Sequence, residues 1–147
     1  MCVTPRQEIM VAAMAAGSSD SEVTPVQAQK LFFLIDQNVA VDLGGPQYNF
    51  KAYDYGPFDS AVYADLDSLA LPEQGMVEIV RNERYRTYRL TERGRQFGTA
   101  KLSQLDPRVK DYFARAKDWV KSLSFQELIR AIYQAYPAMR ANSIFRE

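Results

Sequence analysis

A mainly helical α+β fold follows from three observations on this sequence. Two segments open alike, Thr4-Pro5-Arg6-Gln7 and Thr24-Pro25-Val26-Gln27, each placing Thr at the N-cap, Pro at N1 and Gln at N3 of a helix. Two later segments, Asp106-Pro107 and Ser124-Phe125-Gln126-Glu127, carry further helix starts. After Gly75 the apolar spacing changes from helical to alternating, so residues 76–90 read as a two-stranded hairpin. Helix, turn, further helix and hairpin in that order predict a winged helix-turn-helix with a two-stranded wing, followed here by a C-terminal helical hairpin.

The first helix is expected over residues 5–16, with Ile9, Ala13 and Ala16 inward, and Gly17 stops it before the polar loop 18–22. The second is expected over residues 25–41, with Leu31, Leu34, Ile35 and Val39 at helical spacing, and Gly44-Gly45-Pro46 ends it. Residues 48–53 alternate apolar and polar, which predicts a short strand able to pair with the wing. Gly56-Pro57 then forces a turn, and Asp59 or Ser60 caps the next helix. In that helix Val62, Leu66 and Leu69 share a face until Pro72 prevents continuation. In the wing, Val77, Ile79, Tyr88 and Leu90 are the inward positions and residues 81–84 the tip, and Thr91 caps a short helix leading out of it. Val109, Tyr112, Phe113, Ala116 and Val120, joined by Trp119, line one face of the helix from Pro107. Phe125, Leu128, Ile129, Ile132 and Tyr133 form the stripe of the last helix, and these two helices are expected to pack together.

A chain of 147 residues fits one domain over 1–147, divided as 1–23, a winged-helix core at 24–95 and C-terminal helices at 106–147, burying roughly two thirds of its unfolded surface. Apolar residues at 47% and charged residues at 24% exclude a largely disordered chain. No apolar run approaches the roughly 20 residues that span a bilayer, and the N-terminus lacks the pattern of a signal peptide. A cytoplasmic protein without membrane contact is expected. With no histidine and one cysteine, Cys2, the sequence gives no basis for zinc sites or for histidine-assisted nucleophiles. Asp65 and Asp67, two apart on a helix, do not face each other, and no Gly-rich phosphate loop is present. Neither catalysis, nor metal, nor cofactor is expected.

The zero net charge hides an asymmetry: residues 1–75 hold 3 basic and 10 acidic side chains, and residues 76–147 hold 15 and 8. That is either scatter over solvated faces or an acidic and a basic pole able to steer a partner. The helix in the recognition position is acidic. Asp59, Asp65, Asp67 and Glu73 give residues 58–75 a net charge of minus four, whereas phosphate binding draws on Lys and Arg.

Lys30-Leu31-Phe32-Phe33-Leu34-Ile35-Asp36 followed by Tyr53-Asp54-Tyr55-Gly56-Pro57-Phe58, with Tyr63 and Leu66 downstream, resembles the Panacea antitoxin domain family and related bacterial winged-helix proteins. The resemblance covers roughly residues 27–94, and Tyr136-Pro137 near the end also suits these relatives. It implies a non-enzymatic protein, encoded beside a toxin-like partner that it neutralises by binding. Phe58, where the family usually has valine or tyrosine, and Asp59-Ser60 depart from its pattern, so a relative with a different task stays open. Tyr88-Arg89-Leu90-Thr91-Glu92-Arg93-Gly94 resembles the wing ending of MarR- and PadR-type regulators.

Read from the residues, Tyr53, Tyr55 and Phe58 either wedge the Gly-Pro turn against the second helix or form an aromatic patch suited to a partner. The preferred expectation is a protein-binding winged-helix domain, antitoxin-like or defence-associated, that uses Tyr53, Tyr55, Phe58, Asp59, Tyr63 and Asp65 against a basic, co-encoded partner, with Asp59 and Asp65 exposed beside the rings. The rival is a transcriptional regulator, acting as a homodimer, that contacts DNA phosphates through Arg81, Arg84, Arg86 and Arg89. The acidic helix favours the first, leaving only weak DNA binding.

Overall fold

The computed structural model describes residues 3–145, and Cys2 lies outside them. Among the described residues, six α-helices and two separate two-stranded antiparallel sheets make an α+β, mainly helical architecture. The two Thr-Pro signals behave as expected. In α1 (Pro5–Ala15) and α2 (Pro25–Asn38), Thr4 and Thr24 accept from the N3 amides of Gln7 and Gln27, each at 3.1 Å, and both Gln side chains answer with the reciprocal bond.

Helix α1 is more central than its expected inward face implies. Met10 through Met14 are consecutively buried, which covers the whole circumference of a helix, while Ile9 is only half-buried. It packs along α4 (Glu92–Leu102) and against α5 (Pro107–Ser122). Gly98 sets the closeness of the α1–α4 contact, since a Cβ there would stand 2.7 Å from both Ala15 Cβ and the Val11 carbonyl oxygen. The loop after α1 is strapped to α5: Lys117 Nζ donates to the Met14 and Ser19 carbonyls, and Asp118 accepts from the backbone amides of Ser18 and Ser19.

Helix α2 stops at Asn38, three residues short of the expected end, and residues 41–43 continue as a 3-10 turn closed by Gly44 at φ +85°. The strand expected over 48–53 is confined to β1 (Lys51–Tyr53), and it does not pair with the wing. It pairs with β2 (Gly56–Phe58) around a turn at Asp54-Tyr55, so Gly56-Pro57 lies in a strand instead of making the turn. Proline tolerates this because a two-stranded sheet is all edge and its missing N–H breaks no interior ladder. A different segment meets the hairpin of residues 77–90: Val23, between α1 and α2, exchanges both backbone hydrogen bonds with Tyr88, at 2.8 and 2.9 Å.

Helix α3 (Ser60–Leu69) is capped by Asp59 and buries Val62, Leu66 and Leu69 as expected. Strands β3 (Val77–Arg81) and β4 (Arg86–Leu90) fill the expected hairpin in the register Val77↔Leu90 to Arg81↔Arg86, with Val77, Tyr88 and Leu90 buried and Ile79 half-buried. Thr91 caps α4 by accepting from the Gly94 amide, and Gly94 is held against the Met76 carbonyl with no room for a Cβ.

The expected C-terminal helical hairpin does not form. Helix α5 packs on α1 and α2, whereas α6 (Phe125–Ala135) packs on β2 and on the 3-10 turn Pro137–Arg140. Leu123 leaves α5 extended (φ −105°, ψ 147°) and Ser124 immediately caps α6. The apolar stripes of the two helices bury against different neighbours. Phe125 and Trp119, both expected inside, are exposed. None of the described helices is long and apolar enough to cross a membrane.

Candidate interaction surface

The aromatic residues around β1 and β2 divide between the two roles open to them. Phe58 and Tyr63 are half-buried, and Tyr53, 55% exposed, stacks on Phe58 at 5.1 Å with 26° between the rings. Phe58 meets Tyr63 edge-on at 5.6 Å, and Tyr63 stacks on the buried Tyr88 at 6.4 Å. The wedge is thus Phe58 and Tyr63, and Tyr53 is its solvent face. Tyr55, at the turn, is also exposed and contacts Phe125 at 5.2 Å, a ring itself 45% exposed and contributed by the first turn of α6.

These rings border two linked hollows. An apolar groove of about 500 Å³ runs between the start of α2 and the start of α6, lined by Pro25, Val26, Tyr85, Leu123, Phe125 and Leu128. Val26 also lines a smaller cavity of about 160 Å³, walled by Tyr53, Tyr55, Phe58 and Tyr63, with Lys30 at its base. Lys30 is only 3% exposed and its Nζ donates to the Pro57 carbonyl at 3.2 Å. Burial pushes this amine down to about 7. The placement follows from α2 itself, because Val26, Lys30 and Phe33 fall at i, i+4 and i+7. That periodicity was the available signal for Lys30 as a site residue. Phe125 and Tyr85 carried none, since one belongs to an apolar stripe and the other to a hairpin tip.

The acidic part of the expected surface is corrected. Asp65 is 5% exposed and held inside by four groups: Arg6 Nε at 2.7 Å, Arg6 Nη2 at 3.1 Å, Gln7 Nε2 at 3.3 Å and the Tyr48 hydroxyl at 2.6 Å. Burial, with Asp65 as neighbour, pushes the Tyr48 hydroxyl well above its usual range, and the hydrogen bond to Asp65 raises Arg6. Asp59 is occupied too. One carboxylate oxygen caps α3 at the Ala61 amide, the other accepts from Asn49 N at 2.8 Å, and its backbone exchanges two bonds with the Gln29 side chain. Asp59 and Asp65 therefore do not form an exposed patch with Tyr55 and Phe58. A capping residue prefers to sit where it satisfies backbone donors, and a buried carboxylate is tolerated where donors such as this guanidinium and phenol satisfy its oxygens.

The four arginines of the rival reading have unequal surroundings. Arg89 is paired with Glu78 at 3.1 Å and lies 3.8 Å from Glu22. Arg86 lies over the rings of Tyr63 and Tyr88, at 5.8 and 5.5 Å. Arg81 and Arg84, at the tip, are exposed, and among the described residues no carboxylate lies within 4.0 Å of either. The exposed side chains of α3 are Ser60, Ala64 and Asp67. None is an Arg or Lys that could draw the helix onto a phosphate backbone. Among the described residues no group of three or more His, Cys, Asp or Glu is placed to hold a metal ion.

No family model, no curated protein and no solved structure matches this chain.

Proposed function

We propose that this chain is a non-enzymatic, protein-binding winged-helix domain, antitoxin-like or defence-associated, that captures a co-encoded partner. The order of elements supports the winged-helix part. Helix α1, the single Val23 bridge to β4, helix α2, the β1–β2 hairpin, helix α3 and the β3–β4 hairpin follow one another as three helices and a wing, with β1–β2 inserted before the third helix. On this reading the unit begins at α1, upstream of residue 24, because α1 lies at the centre of the packing.

The observation that carries the function is the exposed aromatic rim, Tyr53, Tyr55 and Phe125, continuous with an apolar groove. Large aromatic rings, two of them with a polar tip, beside an apolar cleft are the composition of binding hot spots. The partner is no longer expected to be basic, since two of the four carboxylates that suggested it serve the fold. The test is co-purification with the neighbouring gene product. Tyr53→Ser and Phe125→Ser, at exposed rings, are expected to weaken capture while changing the melting temperature little; undiminished capture by both variants would remove this rim from the interface.

The regulator reading retains one observation in its favour, the unpaired Arg81 and Arg84 at the hairpin tip. Phosphate contacts alone give salt-sensitive binding without sequence preference. Sequence-selective, sub-micromolar binding at physiological salt, lost in Arg81→Glu/Arg84→Glu, would put this reading first.

A further inference from the structure

Lys30 combines an unmet bonding capacity with an opening to the surface, and the role it takes there rests on the protein-binding reading and deepens it. An ammonium group has three N–H donors and no acceptor. Pro57 O takes one of them, and among the described residues no carboxylate lies within 4.0 Å of Nζ. Gly56 closes the cavity from the hairpin side, where a Cβ would stand 3.8 Å from Nζ. A buried amine in an aromatic-walled hollow matches one complement, an oxyanion that brings its own charge into the low-dielectric site. Asp54 lines the cavity as well, but its carboxylate lies beyond 4.0 Å from the Lys30 amine.

The cavity, at about 160 Å³, has room for one short side chain, and it lies midway along the surface. On one side Val26 joins it to the groove of Leu123, Phe125 and Leu128, and on the other Tyr53 and Phe58 join it to a shallower cleft at Asn49, Lys51 and Ser60. A chain crossing this surface has a path in and a path out, which favours an inserted side chain over a chain terminus.

We propose that the surface binds an extended segment of a partner protein, with one Asp or Glu side chain inserted over Lys30 and apolar neighbours laid against Val26, Phe125 and Leu128. The carboxylate accepts from Nζ, and the rings of Tyr53 and Phe58 shield the pair from water.

The test uses the full chain and two blocked peptides of alternating leucine and alanine, one with a central glutamate and one with glutamine in its place. Binding is followed at pH 6 through the backbone amide resonances of Gly56 and Tyr63. The glutamate peptide is expected to bind about ten-fold tighter, the gain of one charge-assisted bond to a buried amine. Lys30→Met, which keeps the length and apolar stem, is expected to remove that preference without lowering the melting temperature, and Phe125→Ser to weaken both peptides alike. Equal binding of the two peptides by the native chain, or a preference surviving in Lys30→Met, would overturn the proposal. So would a preference that appears only for an unblocked C-terminal carboxylate. If Lys30→Met does not fold, the ratio on the native chain decides. Capture of the co-encoded partner by a folded Lys30→Met protein with no glutamate preference on the native chain would reject the acidic segment and leave the protein-binding reading standing, whereas undiminished capture in Tyr53→Ser and Phe125→Ser tells against that reading itself.

Discussion

Truncation of Asp65 offers the sharpest measure of how far this carboxylate belongs to the core. Asp65→Ala removes the acceptor of Arg6, Gln7 and Tyr48 at once. Breaking a buried ion pair from one side costs about 3–5 kcal/mol. Here the Arg6 side chain is 38% exposed and rehydrates in part, so its share is discounted. The Tyr48 hydroxyl, most of whose surroundings are protein, loses its acceptor, and an orphaned buried donor costs about 1–3 kcal/mol. Together these give a loss of roughly 2–4 kcal/mol, since bonds that share an acceptor do not add. For a chain of this size each kcal/mol lowers the melting temperature by about 2–4 °C, so a fall on the order of 10 °C is expected. Urea unfolding should show a lower midpoint at unchanged slope. Asp65→Asn, which retains an acceptor for Tyr48, should lose less, and Asp65→Lys should lose more than Asp65→Ala, because it places a second cation beside Arg6. In the double-mutant cycle, Arg6→Met/Asp65→Leu should be milder than the two single changes summed. A loss below about 0.5 kcal/mol for Asp65→Ala, the range of ordinary surface substitutions, would refute this placement and return Asp65 to the exposed acidic patch.

Three further outcomes are expected. Gly98→Ala should destabilise by about 1–3 kcal/mol in thermal melts, although alanine is the better helix former by about 1 kcal/mol, because its Cβ would meet Ala15 and the Val11 carbonyl. Lys30→Met should be more stable than the native chain at pH 6, where the buried amine is charged, by the desolvation it relieves less the donor that the Pro57 carbonyl loses. The folded pKa of Lys30, near 7, lies below its ordinary 10.5, so the unfolded chain binds the extra proton between these values; native stability should rise with pH across that window, and Lys30→Met should flatten the rise, leaving the similar contribution of Lys117, lowered to about 8. DNA binding measured from low to physiological salt should be weak and steeply salt-dependent, and Arg81→Glu/Arg84→Glu should abolish it.

Much of the fold was legible in local sequence. Thr4, Thr24 and Ser124 announce their helices because a capping box closes within four residues and needs nothing distant. The β3–β4 hairpin was legible for the same reason, since its alternation and its turn lie in one short stretch. The Lys30 position on the inner face of α2 was there to be read from the spacing of Val26 and Phe33, though the hollow above it was not.

Other features depend on contacts between residues far apart in the chain, which periodicity does not report. Asp65 reads as one more surface carboxylate until Arg6, 59 residues away, and Tyr48 close around it. Val23 carries no strand pattern, because a single bridge to Tyr88 is made by position alone. The strand at Lys51–Tyr53, itself mostly exposed, pairs with β2 and not with the β3–β4 hairpin, and α6 packs on β2, choices set by neighbours distant in sequence. The sequence by itself determined which segments are helix and which are hairpin, through bonds closed within a few residues. The tertiary structure decided which charges are inside, which rings are outside and where a partner finds an opening, because the burial of a side chain belongs to the neighbours that surround it.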